Sequence, residues 1–253
     1  METHSEHSNN MENRIKNYWK QRSSHFEKTR ENELHDTEIG KRWMSTFQKY
    51  LPNHKKELKI LDVGTGAGYF AILLASYGHH TTGIDLTPEM IEAAKDLAAK
   101  QNSPATFQVM NALQLDFPDE SFDAIVTRNL TWTLPDVPGA YKEWCRVLKP
   151  GGVLINFDAN YGDNVRYEQT HPKVPSQDTP FSHQTLTDAM LKENSEITLS
   201  MEASQKVRPG WDLTLFPECG FFEFGADIHA GKKILQEWDQ ITSPLFVVWA
   251  RKG

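Results

Sequence analysis

The sequence predicts an α/β fold, a mostly parallel sheet with helices on both faces. An apolar run, Ile60-Leu61-Asp62-Val63, passes directly into Gly64, Gly66 and Gly68 and then into the apolar stretch 69–75, which reads as strand, tight turn and helix. A second strand-like run, 81–84, closes on Asp85, seventeen residues after Gly68. Further short apolar runs at 106–110, 124–126, 153–157, 221–224 and 245–250 supply the remaining strands.

The turn identifies the kind of ligand. Glycine tolerates positive φ and, lacking Cβ, lets a ligand touch the backbone. The helix that follows offers free N–H groups. An acidic residue at the distance of Asp85 is the ribose ligand of a nucleotide-binding βαβ unit, so the ligand is nucleoside-like. Spacing excludes two common variants. A dinucleotide fingerprint needs glycine where Tyr69 stands, and no Lys-Ser/Thr follows the turn as a P-loop requires. The pattern is D-x-G-x-G-x-G with Asp62 closing the strand, and an acid there repels pyrophosphate but suits a cationic amino-acid moiety.

Asp62–Gly68 resembles motif I of the class I S-adenosylmethionine-dependent methyltransferases. Three later marks extend the resemblance over about residues 59–157: the strand end Asn111-Ala112, the phrase 117–123 before strand four, and Leu148-Lys149-Pro150-Gly151-Gly152 before strand five. The last is typical of the ubiquinone/menaquinone-type (methyltransferase type 11) branch. The resemblance implies a Rossmann-like sheet of seven strands with strand seven antiparallel, and S-adenosylmethionine as cofactor. It places Asp62, Gly64, Thr65, Gly66 and Gly68 at the methionine portion, Asp85 at the ribose hydroxyls, and Leu86, Asn111, Ala112 and Leu113 around adenine. Asn111 departs from the acid usual at its position. Its amide oxygen can still accept a hydrogen bond, and a plain turn role stands beside that reading. Strand four delivers Arg128, counted also among the cofactor-binding residues, and Trp132 to the sheet's carboxyl edge, where ligands of open α/β sheets sit.

The rest of the chain frames this core. Residues 1–12 are polar and read as a disordered tail, 13–57 as a helical cover, and 58–253 as the methyltransferase domain with an insertion at about 159–212. The cover holds two helical patterns, one with Ile15, Tyr18-Trp19 and Phe26, the other with Ile39, Trp43, Phe47 and Tyr50-Leu51. Tyr18, Trp19, His25 and Phe26 are either edge packing or a lid over the ligand. Gly78 has the position of a helix-ending glycine, and Thr87-Pro88-Glu89 that of a capped helix start. Candidates for the acceptor side are Arg128, Trp132, Asp158, Tyr161, His171 and His183. Residues 237–238 read as part of a surface helix.

Composition narrows the function classes. The formal net charge is -7 with no dense Lys/Arg block, which argues against nucleic acid as a partner. The two cysteines, Cys145 and Cys219, form no C-x-x-C, so neither a disulfide framework nor a structural metal site is expected. No run is long and apolar enough for a membrane span, and a cytoplasmic monomer or homodimer is expected. The expected activity is in-line methyl transfer to a small molecule. The alternatives are an RNA base methyltransferase, against which the absence of an N-P-P-Y-type tetrapeptide after strand four weighs, and a cofactor-binding sensor or assembly protein without catalysis.

Overall fold

The structure, a computed structural model, describes residues 4–53, 55–171, 187–236 and 239–253. Within these, seven strands form one sheet: β1 (Lys59–Val63), β2 (His80–Asp85), β3 (Thr106–Val109), β4 (Phe122–Arg128), β5 (Leu148–Asp158), β6 (Phe221–Asp227) and β7 (Phe246–Lys252). Their order is β3-β2-β1-β4-β5-β7-β6, and β7 alone runs antiparallel to its neighbours. The fold expectation holds, including the direction of the last strand.

Helices cover both faces because the central strands are apolar on both sides. The first face carries α2 (Thr37–Tyr50) and α3 (Tyr69–Ser76), packed on β1, β4, β5 and β7 through Trp43, Phe47, Phe70 and Phe157. The second carries α5 (Val137–Val147), whose Tyr141 and Trp144 are fully buried against the sheet. Local chemistry sets the ends. Asp36 caps α2 by accepting from the Glu38 and Ile39 amides. Gly78, at φ 90°, closes α3 with its own amide on the Ala75 carbonyl and the His79 amide on that of Leu74. Thr87 precedes α4 (Pro88–Lys100) as expected, but its hydroxyl makes no cap bond; it turns to Asp85 instead.

Three boundaries differ from the sequence reading. The segment expected to be a disordered tail is helical from its fourth residue: α1 runs His4–His35. No glycine or proline interrupts it, and Ile15 and Tyr18 pack on Ile197 and Met201, so tertiary contact overrides polar composition. The stretch 148–152, expected to stand before strand five, is the start of β5, taken in through a register shift against β4. The insertion, given no elements in the sequence reading, adds α6 (Tyr161–Thr170), α7 (Asp188–Ser200) and α8 (Gly210–Leu215), and it buries a polar network. Arg208 bonds Asp212 at 2.9 and 2.8 Å, Asp158 at 3.0 Å and the Thr131 hydroxyl at 2.7 Å. The Tyr141 hydroxyl completes it at 2.6 Å from Asp212. Polarity in that segment is therefore partly core chemistry. A ninth helix, α9 (Ala230–Ile234), packs beside α2; residues 237–238 lie outside the described residues.

Candidate functional site

Everything chemically distinctive converges at the carboxyl edge of β1, β2 and β4. The β1 turn places Gly64 at φ 68° and Gly66 at φ 53°, a region that side chains avoid. A Cβ on Gly64 would lie 2.8 Å from Leu130, whereas one on Gly66 would meet nothing within 4 Å, so at Gly66 bare backbone lines open space. Gly68 does something else. It precedes α3 at φ 88°, and a Cβ there would press on Phe107 and Ala94 at 3.0 and 3.1 Å. It packs helix on strand and does not line the cavity.

Asp62 is buried, and one of its oxygens accepts from the Thr65 hydroxyl (2.5 Å) and the Ala71 amide (3.1 Å). Burial pushes its carboxyl up to about 7 against the pull of those bonds. Asp85 accepts one backbone N–H on each oxygen, Gly66 at 3.0 Å and Thr87 at 2.9 Å, and burial raises its pKa as well. A carboxylate has about four lone-pair sites, so with the Thr87 hydroxyl also upon it Asp85 keeps capacity for a further hydroxyl.

These groups floor a cavity of about 560 Å³, within the range of small-molecule sites. Asp62, Gly64, Thr65, Gly66, Asp85, Leu86, Asn111, Ala112, Leu113 and Arg128 all line it. Asn111 is partly committed: its side-chain oxygen accepts from the Leu113 amide at 2.9 Å and its amide nitrogen reaches Glu12 at 3.4 Å. The turn role and a cavity position thus coexist.

The roof is α1 with α6 and α7. Of the four lid candidates, Trp19 and Phe26 face the main cavity. Tyr18 is buried behind them, its hydroxyl accepting from Arg22 at 2.7 Å. His25 lines a smaller chamber of about 130 Å³ next door. Ion pairs hold α1 in place: Arg14 to Glu193 and Glu196 of α7, and Lys20 to Glu89 of α4.

The acceptor-side candidates divide. Trp132 and Tyr161 line the cavity 4.9 Å apart, with Trp19 6.3 Å from Trp132. Arg128 lines it too. Asp158 is corrected: fully buried, it accepts from Arg208, Thr131, the Trp132 amide and the Ala159 amide, so it braces the edge and faces no open space. His171 is also corrected, since it is exposed and stacked on Tyr167 at 3.9 Å, away from the cavity. His183 lies outside the described residues.

Sequence reasoning missed Arg22, Arg30, Glu33 and Tyr69. Glu33 is buried and ionised by two arginines, Arg30 at 2.5 Å and Arg128 at 2.7 Å, and also receives the Trp43 indole N–H at 3.2 Å. The signal was present. Residues 19, 22, 26, 30 and 33 fall at steps of three and four on one face of α1, a stripe mixing aromatic and charged groups.

Residues 61–156 match the family profile described as a methyltransferase domain. The chain is 39% identical over 106 residues to a 2-methyl-6-phytyl-1,4-hydroquinone methyltransferase of Synechocystis, covering 42% of this chain and 33% of the relative. It is 35% identical over 132 residues to a ubiquinone/menaquinone biosynthesis C-methyltransferase of Rickettsia massiliae, covering 49% and 52%. The chain thus spans between a third and about half of these relatives. Its fold matches the phosphoethanolamine N-methyltransferase 2 of Haemonchus contortus, solved with S-adenosyl-L-methionine, at a TM-score of 0.58 and 17% identity over 83% of this chain and 51% of that one. No described helix is long and apolar enough to cross a membrane.

Proposed function

We propose that this chain is an S-adenosylmethionine-dependent methyltransferase acting on a small molecule enclosed beneath α1, α6 and α7. One observation carries the reading: the glycine turn with Asp62 and Asp85 opens into a cavity that residues of α1, α6 and α7 also line. Asp85 takes the ribose hydroxyls, Leu86 and 111–113 frame adenine, and Asp62 with the backbone of 64–66 holds the methionine end. When bound, the cofactor supplies a methyl group already activated by a sulfonium. The chain's own task is to align the acceptor in line with that methyl and keep water out. Trp19, Phe26, Trp132 and Tyr161 serve the second purpose, and α1 and α2 make up the N-terminal cover. The relatives named for quinol substrates support a small acceptor. The buried free thiols of Cys145 and Cys219 suit the reducing cytoplasm.

Turnover of labelled cofactor against small-molecule extracts is the direct test. Labelled product is expected in the small-molecule fraction; label confined to nuclease-sensitive RNA would overturn the assignment, and binding without turnover would favour a sensor. Asp85→Ala should weaken binding of the demethylated cofactor by about 1–3 kcal/mol, the scale of lost hydrogen bonds to a charged group. Calorimetry showing unchanged affinity would remove Asp85 from the site.

A further inference from the structure

We propose that the methyl acceptor carries an anionic oxo group, a carboxylate or a phosphate, bound by Arg30 and Arg128 on the wall between the main cavity and the small chamber beside it. The inference rests on the methyltransferase reading above and adds the acceptor's class to it.

The first argument is charge. Arg30, Arg128 and Glu33 form a buried set of two guanidinium groups against one carboxylate, with side-chain exposures of 14%, 12% and 0%. Its surplus is one positive charge. The cofactor adds a second, because its sulfonium and ammonium outnumber its carboxylate. Asp62 meets that second charge, because a cationic ligand favours its ionised form. The Asp85 oxygens face backbone N–H groups, and Asp85 does not line the small chamber. Of the other acids, Glu168 and Asp188 are solvent-exposed and so screened, Glu12 is half-buried beside Asn111, and Asp239 in the small chamber accepts from the Leu245 amide. Uncompensated charge in a shielded space is costly, and an anionic acceptor removes the surplus.

The second argument is unmet hydrogen bonding. Arg128 gives one nitrogen to Glu33, but its Nε is buried without a partner, and so is the Tyr69 hydroxyl. Both residues line the main cavity. Buried donors are nearly always satisfied, so these two, with the Arg128 guanidinium carbon 5.7 Å from the Tyr69 ring, point to an acceptor-rich group reached by a small turn of the side chains toward the cavity. Arginine presents its donors in a planar fork suited to carboxylate and phosphate.

The third argument is position. Arg30 and Arg128, with Phe26, Asn129 and Tyr161, line both the main cavity and the small chamber, and no residue of the glycine turn reaches the latter. The arginine pair therefore has a face turned away from the nucleoside cradle, beside the aromatic wall where the acceptor is held.

The labelled product of the extract screen decides the matter. Retention on an anion exchanger at neutral pH is expected, persisting at about pH 2 for a phosphate and lost there for a carboxylate. A product that passes through at neutral pH overturns the proposal. Arg30→Gln and Arg128→Gln should raise the acceptor KM by about tenfold or more, the scale of a lost charge-assisted bond. Affinity for S-adenosylhomocysteine should stay unchanged. If that affinity falls while affinity for 5′-methylthioadenosine, which lacks the carboxylate, does not, the arginines serve the cofactor and the proposal fails. A readout free of turnover complements this. Inorganic phosphate should raise the Tm of the protein saturated with S-adenosylhomocysteine, and the rise should vanish in both variants. No rise, or displacement of S-adenosylhomocysteine by phosphate, overturns it. Absence of any cofactor binding or labelled product would instead sink the methyltransferase reading itself.

Discussion

The floor and the roof of the cavity are built by different means. The floor is local: strand, turn and helix within Lys59–Ser76 set the glycine backbone, and Asp85 arrives on the adjacent strand in register with Val109. The roof is assembled across the chain. Arg14 meets Glu193, Arg128 meets Glu33, and Arg208 meets Asp158, at sequence separations of 179, 95 and 50 residues. A floor made of backbone tolerates side-chain change outside its few fixed positions. A roof made of paired charges does not, and each pair can be tested alone.

The largest effect is expected where the roof is rooted in the core. Arg208→Met strands the buried carboxylates of Asp158 and Asp212, and loss of one partner from such a network costs about 3–5 kcal/mol. Thermal unfolding should show a correspondingly lower Tm; a change within error would mean that the network holds no load between sheet and insertion.

The floor has its own signature, in pH. Asp62 titrates at about 7 when folded, above its ordinary range, so the folded protein binds an extra proton between about pH 4 and 7. In that window this group makes the unliganded protein less stable as pH rises. A cationic ligand favours the ionised form, so cofactor affinity should climb with pH, by up to about tenfold per unit below 7, and flatten above it. Asp62→Asn should bind more weakly at pH 8 and lose most of this slope; what remains reports Asp85, which burial also raises. Calorimetric titrations from pH 6 to 8.5 would check it, and an undiminished slope in the variant would remove Asp62 from the cationic end of the site.

The smallest effect belongs to the exposed seam. The Arg14 pairs with Glu193 and Glu196 are half-exposed, and Arg14→Ala should cost no more than about 1 kcal/mol of stability. A larger loss in chemical denaturation would show that α1 and α7 fold as one unit.

The same division explains what the sequence revealed. Glycine spacing, Asp85 and the apolar runs are period and turn signals, so the strands of the sheet and most of the floor were legible. Asp158 and His171 were misjudged because side-chain type near the sheet edge says nothing of direction: one points into the core, the other to solvent. Glu33 escaped notice because an acid among polar helix residues looks like a solvated face until Arg128, 95 positions later, comes to meet it.

The seam between α1 and α7 bears on kinetics as well. The roof edge between α1 and α7 is closed by the Arg14 ion pairs and by a small apolar cluster of Ile15, Tyr18, Ile197 and Met201. Salt screens the first of these and strengthens the second only weakly, so residence time beneath the roof should shorten as ionic strength rises while the floor's hold on the nucleoside changes little. The protein's exchange rate is in that sense an electrostatic gate set by residues that touch no ligand.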